Sequence, residues 1–391
     1  MTNNGLAKRL LLVVPSARRT GGGDVWLEQL LTHIVGYEFE ITVTFESTGE
    51  LAERARQNGC KVEILSSHHG PGHDDPSSYI APLADVIRRV QPTVTVFWSP
   101  RAQLYGCHAH ARAGAPGRTA WVQHVMPSEF WLHRDAAATP TDAVLCVSNA
   151  VAVRHEQLYP ACRTVVVHPG VDFPDVAVSR TEARASIGCP DSARVLGVVG
   201  RVEPWKGQDT AVRMLAALDD PDTMLVLIGE RNSPTWPQFG LDVARLAQDL
   251  EVANRVVFAG HRHDVTIVLP ALDVLVCASR EEGFGLAVVE AMAARVPVVA
   301  TRCGGPEDTV EDGVSGLLVE AEDAVGLAAA VQRITDEWHL TERLVSAARQ
   351  TWQDRFTGRR SATSFLSAVR GLLDFPINGS RSQNAVQDQE A

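Results

Sequence analysis

Two carboxylates, Glu282 and Glu290, lie eight positions apart in the segment ASREEGFGLAVVEAMAARVPVVA (278–300). An apolar run reads as a strand ending at Ser279, Gly283 and Gly285 mark a turn, and LAVVEAMAA reads as a helix. The N–H groups that open a helix at the carboxyl end of a parallel strand suit an anionic group, typically phosphate. Gly283 and Gly285 let the backbone approach such a ligand closely. At about 1.5 Å per residue the two carboxylates fall on the order of 12 Å apart, the scale for holding a sugar ring with one and a ribose with the other. The i±3 and i±4 neighbours of Glu290 are Leu286, Ala287, Ala293 and Ala294, so its own helix offers it no ion pair. A carboxylate buried there needs a partner. Ribose hydroxyls would serve, as would solvent or a distant arginine.

A second constellation is cationic. In GVVGRVEPWKGQDT (197–210) a strand ends at Gly200, and Arg201 and Lys206 follow in a short turn before the next helix. Arginine forks two phosphate oxygens and lysine supplies a compact charge, so the pair suits a diphosphate, whereas a pair of solvated loop cations is the bland alternative. SARRTGGGDVWLEQLL (16–31) places Gly22 and Gly23 at another strand-to-helix turn, flanked by Arg18 and Arg19, which read as solvated loop arginines. His124 closes the run TAWVQ, where a lone histidine is ordinarily structural.

These residues need elements to hold them. Short apolar runs at 9–14, 39–45, 93–98, 119–123, 143–147 and 164–168 alternate with helix-period segments, and a second set follows at 195–200, 224–229, 255–260, 274–279 and 296–301. Such runs fit strands buried on both faces, and the helix-length spacers imply βα units and parallel sheets. The expected fold class is α/β, with two Rossmann-like domains facing across a cleft. The pattern lapses near 172–180, which separates a first domain (1–175) from a second (176–355). A terminal helix at about 356–375, with a kink near Gly358, precedes a polar tail (376–391) that reads as disordered.

Composition narrows the partners. The 391 residues are 45% hydrophobic and 21% charged with a formal charge of −11, which excludes nucleic acid as the main partner and leaves at most weak peripheral contact with a membrane. No stretch approaches the roughly 20 apolar residues of a membrane span, and a cytoplasmic location is expected. Seven scattered cysteines without C-x-x-C spacing give neither a disulfide framework nor a zinc site.

The spacing E-x7-E in EEGFGLAVVEAMAARVPVVAT resembles the signature of the retaining glycosyltransferases of family four, which have the GT-B fold. G-R-x4-K-G at 200–207 is similar to that family's diphosphate-binding motif. CGGPEDTVEDGVSGLLV (303–319) resembles its GG-P-x-E segment, with Asp308 in place of Glu. The Gly22–Gly23 turn, with Asp24 at the acidic position, and His124 resemble first-domain segments of the family. The resemblance runs from about 9 to 373 and is most specific in the second domain. It implies a nucleotide diphosphate sugar, UDP- or GDP-linked, as donor and a hydroxyl acceptor on a glycan, lipid or small metabolite. Glu282 would orient the sugar, Glu290 grip the ribose, and Arg201 and Lys206 face the acidic pair across a diphosphate-sized gap. The turn Gly283, Phe284, Gly285 and Leu286, with Gly22 and Gly23, would line the donor site, and His124 would lie by the sugar. No metal and no cofactor are implied.

Other signals are set aside. Asp220-Pro221-Asp222 matches a D-x-D metal motif but reads as a helix-to-strand turn. His68, His69 and His73 with Asp74 and Asp75 have loop composition. No G-x-S-x-G elbow exists. A nucleotide-sugar epimerase or phosphorylase fits the same pattern. A nicotinamide-dependent oxidoreductase fits less well, because the first strand lacks G-x-G-x-x-G.

Overall fold

The computed structural model describes residues 8–374 apart from 37, 66–75, 175–177, 219 and 234. The histidine loop and the polar tail therefore lie outside the described residues, as does part of the 172–180 segment. The first half forms a parallel sheet of β1 (Lys8–Val14), β2 (Phe39–Phe45), β3 (Lys61–Ile64), β4 (Val94–Phe97), β5 (Arg118–Gln123), β6 (Ala143–Cys146) and β7 (Thr164–Val166). Their order is β3-β2-β1-β4-β5-β6-β7. The second half forms another parallel sheet of β8 (Arg194–Val199), β9 (Thr223–Ile228), β10 (Val256–Gly260), β11 (Val274–Cys277), β12 (Val298–Arg302) and β13 (Leu317–Glu320), ordered β10-β9-β8-β11-β12-β13.

Every apolar run read from the sequence is a strand; those inside the sheets are largely buried, and those at 164–168 and 255–260 form the half-buried edge strands β7 and β10. Leu10–Val13 and Val94, Val96 and Phe97 are wholly buried in the first sheet, as are Val195, Leu196 and Val274 in the second. β3 and β13, which the pattern did not single out, are edge strands of their sheets. An edge strand needs no continuous apolar run, and KVEI and LLVE accordingly mix charge with hydrophobicity.

In each sheet the strand order reverses direction beside the first strand, between β1 and β4 and between β8 and β11. Loops leaving neighbouring strands at such a point diverge and open a crevice at their carboxyl ends. The Gly22–Gly23 turn follows β1, the Arg201–Lys206 loop follows β8, and the Glu282 turn follows β11.

The last helix begins where the kink was expected. Helix Trp338–Thr351 runs into a wide π-type turn at Trp352–Phe356, and Thr357 then caps helix Gly358–Leu373 through its hydroxyl. Its buried face (Ser361, Ala362, Phe365, Leu366, Val369, Leu372) packs back on the first sheet's domain. There Trp26 Nε1 donates to Ser361 Oγ at 2.8 Å and the ring of Trp98 meets Phe365. Asp172 ties the junction: its carboxylate accepts from Gly358 N at 3.1 Å and contacts His33 Nε2.

Candidate active site between the two sheets

The cationic loop is fixed by close backbone approach. Gly207 has φ of 66°, and a Cβ there would lie 1.9 Å from the carbonyl oxygen of Ala278, so a side chain is excluded. Gln208 Nε2 donates to the Arg201 carbonyl at 2.9 Å. Arg201 itself is half exposed and pairs with Glu203 at 3.0 Å. Lys206 Nζ donates directly to Glu282 Oε2. The expected gap between Lys206 and Glu282 is thus closed: the two loops meet because β8 and β11 are adjacent strands. Burial pulls the Lys206 ammonium toward its neutral form, but the charge and hydrogen bond of Glu282 outweigh it and raise its pKa above the ordinary 10.5. A small cavity bounded by Lys206, Cys277, Ser279, Glu282, Gly285 and Ala287 lies at the pair.

The acidic turn is braced from behind by Arg280, which the sequence reading missed. Its guanidinium forks onto Asp209 at 2.9 and 2.7 Å, reaches Glu322 at 2.8 Å and donates to the Pro204 carbonyl at 2.6 Å. Its backbone N–H donates to the Trp205 carbonyl at 2.7 Å. One arginine next to the acidic turn therefore locks that turn to the cationic loop. Gly285, at φ 87°, then swings the chain into helix Leu286–Ala293, whose first N–H groups have no acceptor within the helix. Gly305 must lack a side chain, since a Cβ would fall 2.2 Å from Phe284 Cα.

The first sheet supplies the opposite wall. His124 Nε2 donates to the Trp98 carbonyl at 2.9 Å, and its ring sits against Trp26 and Trp98. Burial lowers its pKa to about 4, only partly countered by that bond. The ring is therefore neutral at pH 7, with Nδ1 left as an acceptor. A Cβ on Gly23 would lie 3.2 Å from that Nδ1, and one on Gly22 would lie 3.7 Å from Leu286. A Cβ on Gly283 would lie 2.4 Å from the His124 carbonyl oxygen and 3.2 Å from Val125 Cα. Gly22, Gly23, His124, Gly283 and Leu286 thus converge where the two sheets meet. Gly283→Ala is expected to push the halves apart at a cost on the order of 1–3 kcal/mol, read as a lower thermal midpoint. A midpoint equal to that of the parent would show that the contact is not tight.

Glu290 is set apart from the Lys206–Glu282 pair. No hydrogen bond reaches its carboxylate among the described residues, and burial pushes its pKa up to about 7, only partly opposed by Arg19. The distant arginine is therefore real. Arg19 is also no free loop cation: it pairs with Glu28 at 3.3 Å and donates to the His263 carbonyl at 3.3 Å on the other half. Asp24 turns inward and accepts from Thr20 N and Gly21 N at 2.8 and 3.1 Å, capping its own helix.

Asp308 spans the halves. Its Oδ2 accepts from Asn149 N at 2.6 Å, from Asn149 Nδ2 at 3.1 Å and from His168 Nε2 at 3.1 Å. Burial pushes its carboxyl up, but these bonds prevail and hold it below the usual aspartate range. His168 stacks on Phe284 of the acidic turn at 5.8 Å. The shorter Asp at this position thus makes an inter-sheet clasp. Asp220 of the D-x-D match binds Thr223 Oγ1 at 2.6 Å and Asp222 N at 3.1 Å, as a turn residue does. Among the described residues no group of three or more metal-ligating side chains converges, and no helix is long and apolar enough to cross a membrane.

Two parallel sheets whose carboxyl-end loops meet across one cleft define the GT-B class of fold. Residues 179–351 match the family of glycosyl transferases group 1. The chain is 36% identical over 222 residues to a D-inositol 3-phosphate glycosyltransferase of Geodermatophilus obscurus, a match covering 54% of this chain and 48% of that one. It is 29% identical over 288 residues to the lipopolysaccharide core biosynthesis glycosyltransferase LpsE of Rhizobium meliloti, covering 72% and 77%. The chain thus spans about half the length of the inositol-phosphate relative. HepE of Anabaena, solved in complex with UDP and glucose, shares the fold with a TM-score of 0.79 at 22% identity, covering 92% of this chain and 99% of that one. Sucrose-phosphate synthase of Thermosynechococcus elongatus does so with a TM-score of 0.79 at 21% identity, covering 94% and 99%.

Proposed function

We propose that the protein is a retaining glycosyltransferase that moves a sugar from a nucleotide diphosphate sugar, UDP- or GDP-linked, to an acceptor hydroxyl. The observation that carries this reading is the joining of the Lys206–Glu282 pair and the Gly285-led helix at one switch point, within the segment that matches the group 1 family. In this reading Lys206 and Arg201 stabilise the diphosphate as it departs, helped by the N–H groups of Gly283, Phe284, Gly285 and Leu286. Lys206 now occupies Glu282, so donor entry exchanges that ion pair for contacts with phosphate and with sugar hydroxyls. Glu290 accepts from the ribose. His124, held neutral, offers Nδ1 to the sugar and cannot act as an acid near pH 7. The leaving phosphate takes the acceptor's proton in a same-face displacement. Closure of the cleft over Gly22 and Gly23 keeps water from the donor.

The relatives' names favour sugar transfer, and UDP in the HepE complex favours a uridine donor. No metal is needed, because two side-chain cations occupy its usual role. The test is thermal stabilisation by UDP, GDP, ADP and TDP sugars, followed by product analysis with the donor that binds. UDP or GDP sugars at about a hundredfold excess over their dissociation constant should stabilise by about 2.7 kcal/mol. Chelator should leave transfer unchanged. Stabilisation by none of the four, or complete loss of activity in chelator restored by magnesium, counts against the assignment.

A further inference from the structure

Glu203 is wholly buried in the loop after β8, two residues beyond Arg201. Its Oε1 accepts from Ser233 Oγ at 2.9 Å and pairs with Arg201 Nη1 at 3.0 Å, while its Oε2 has no hydrogen-bond partner. Ser233, itself wholly buried, comes from the loop after β9. That loop is pressed against this one: Val202 N donates to the Glu230 carbonyl at 2.9 Å, and a Cβ on Gly229 would lie 2.0 Å from the Gly200 oxygen. Stability is a poor reason to keep such a group. A buried ion pair is commonly replaceable by apolar side chains without loss, and an unbonded carboxylate oxygen is unfavourable.

Its effect on Arg201 is specific. The arginine is held at both ends, its carbonyl by Gln208 Nε2 and one terminal nitrogen by Glu203, while 51% of its side chain stays exposed toward solvent. A long, rotamer-rich side chain is thereby presented in one orientation with its remaining N–H groups available. We propose that Glu203 is a positioning residue, anchored by Ser233, that orients the Arg201 guanidinium to receive the diphosphate of the donor without itself touching the ligand. The inference rests on the donor-site reading given above.

The sign of one substitution separates this role from a simple charge. Removing a negative charge near a diphosphate should tighten binding. Removing the anchor of Arg201 should weaken it. Calorimetric titration with UDP and GDP of the full chain, Glu203→Gln, Arg201→Ala and the double variant reads both. For whichever nucleotide the parent binds, Glu203→Gln should weaken affinity roughly five- to tenfold in the parent and change it less than about twofold when Arg201 is already alanine. Ser233→Ala, which removes the anchor's other partner, should show the same dependence on Arg201 and serves if Glu203→Gln does not fold. Tighter binding by Glu203→Gln, or losses that multiply in the double variant, overturns the inference. A parent that binds neither nucleotide instead counts against the donor site itself.

Discussion

Lys206→Ala is expected to lower the turnover of sugar transfer by about a hundred- to a thousandfold, the loss typical of one preorganised electrostatic contact to developing charge. Lys206 and Glu282 are only 24% and 16% exposed at their side chains, so each is the other's main counter-charge in the unliganded protein. The substitution thus also strands Glu282, and the thermal midpoint should fall by the equivalent of about 1–3 kcal/mol. Adding Glu282→Gln to Lys206→Ala should restore the midpoint without restoring turnover. Separate recovery of stability and activity is what distinguishes a residue that acts on the ligand from one that merely satisfies its neighbour. Lys206→Arg keeps the charge but spreads it over a planar fork in place of a compact ammonium, and should recover little. Initial rates and melting curves on the four proteins check this. Turnover within threefold of the parent for Lys206→Ala would remove Lys206 from the reaction.

Glu290→Gln is expected to make the protein more stable and a worse binder, and the effect should depend on pH. The Glu290 carboxyl titrates near 7 in the folded protein against an ordinary 4.5, because burial disfavours its charge. The folded state therefore keeps a proton that the unfolded chain releases between pH 4.5 and 7. The contribution to stability is full below 4.5, declines as pH rises through that window, and is gone above 7. The difference between 4.5 and about 7 corresponds to about 2–3 kcal/mol after partial screening, so the glutamine variant should gain about that much at pH 8 and almost nothing at pH 4.5. Nucleotide binding should move the other way. A ribose diol donates best to an ionised carboxylate, so the parent's affinity should rise from pH 6 to pH 8, and Glu290→Gln should cost about tenfold or more at pH 8. Parallel melting curves across pH 5–8.5, or unchanged affinity, would contradict both the buried charge and the ribose contact.

What the sequence disclosed follows a physical divide. Strands buried on both faces wrote themselves as continuous apolar runs, so β1 and β8 could be placed to within a residue. The edge strands β3 and β13 break their runs with charge and were not singled out, whereas the edge strands β7 and β10 carry no charge and were. The Glu282 turn and the Arg201–Lys206 loop were legible because glycine, charge and strand end coincide locally. Their direct contact was not, since it depends on β8 lying beside β11 in a sheet whose order the chain does not spell out. Arg280, 71 positions from Asp209, and Asp308, 140 positions from His168, act through partners that no local window contains. Arg19 was read as a solvated cation for the same reason. Asp308 looked like an imperfect motif until Asn149 and His168 supplied its donors.

The return of helix Gly358–Leu373 to the first sheet has a consequence for how the protein is made. Strands and helices from 194 to 351 are contiguous, so that half can close as soon as it leaves the ribosome. The first half emerges earlier yet waits, with the indole of Trp26 lacking Ser361 and the stripe around it bare, until residues 358–373 have been synthesised. A chain stopped after residue 355 would carry a finished second half and an unroofed first one, and aggregation of such truncated products would begin at that open wall.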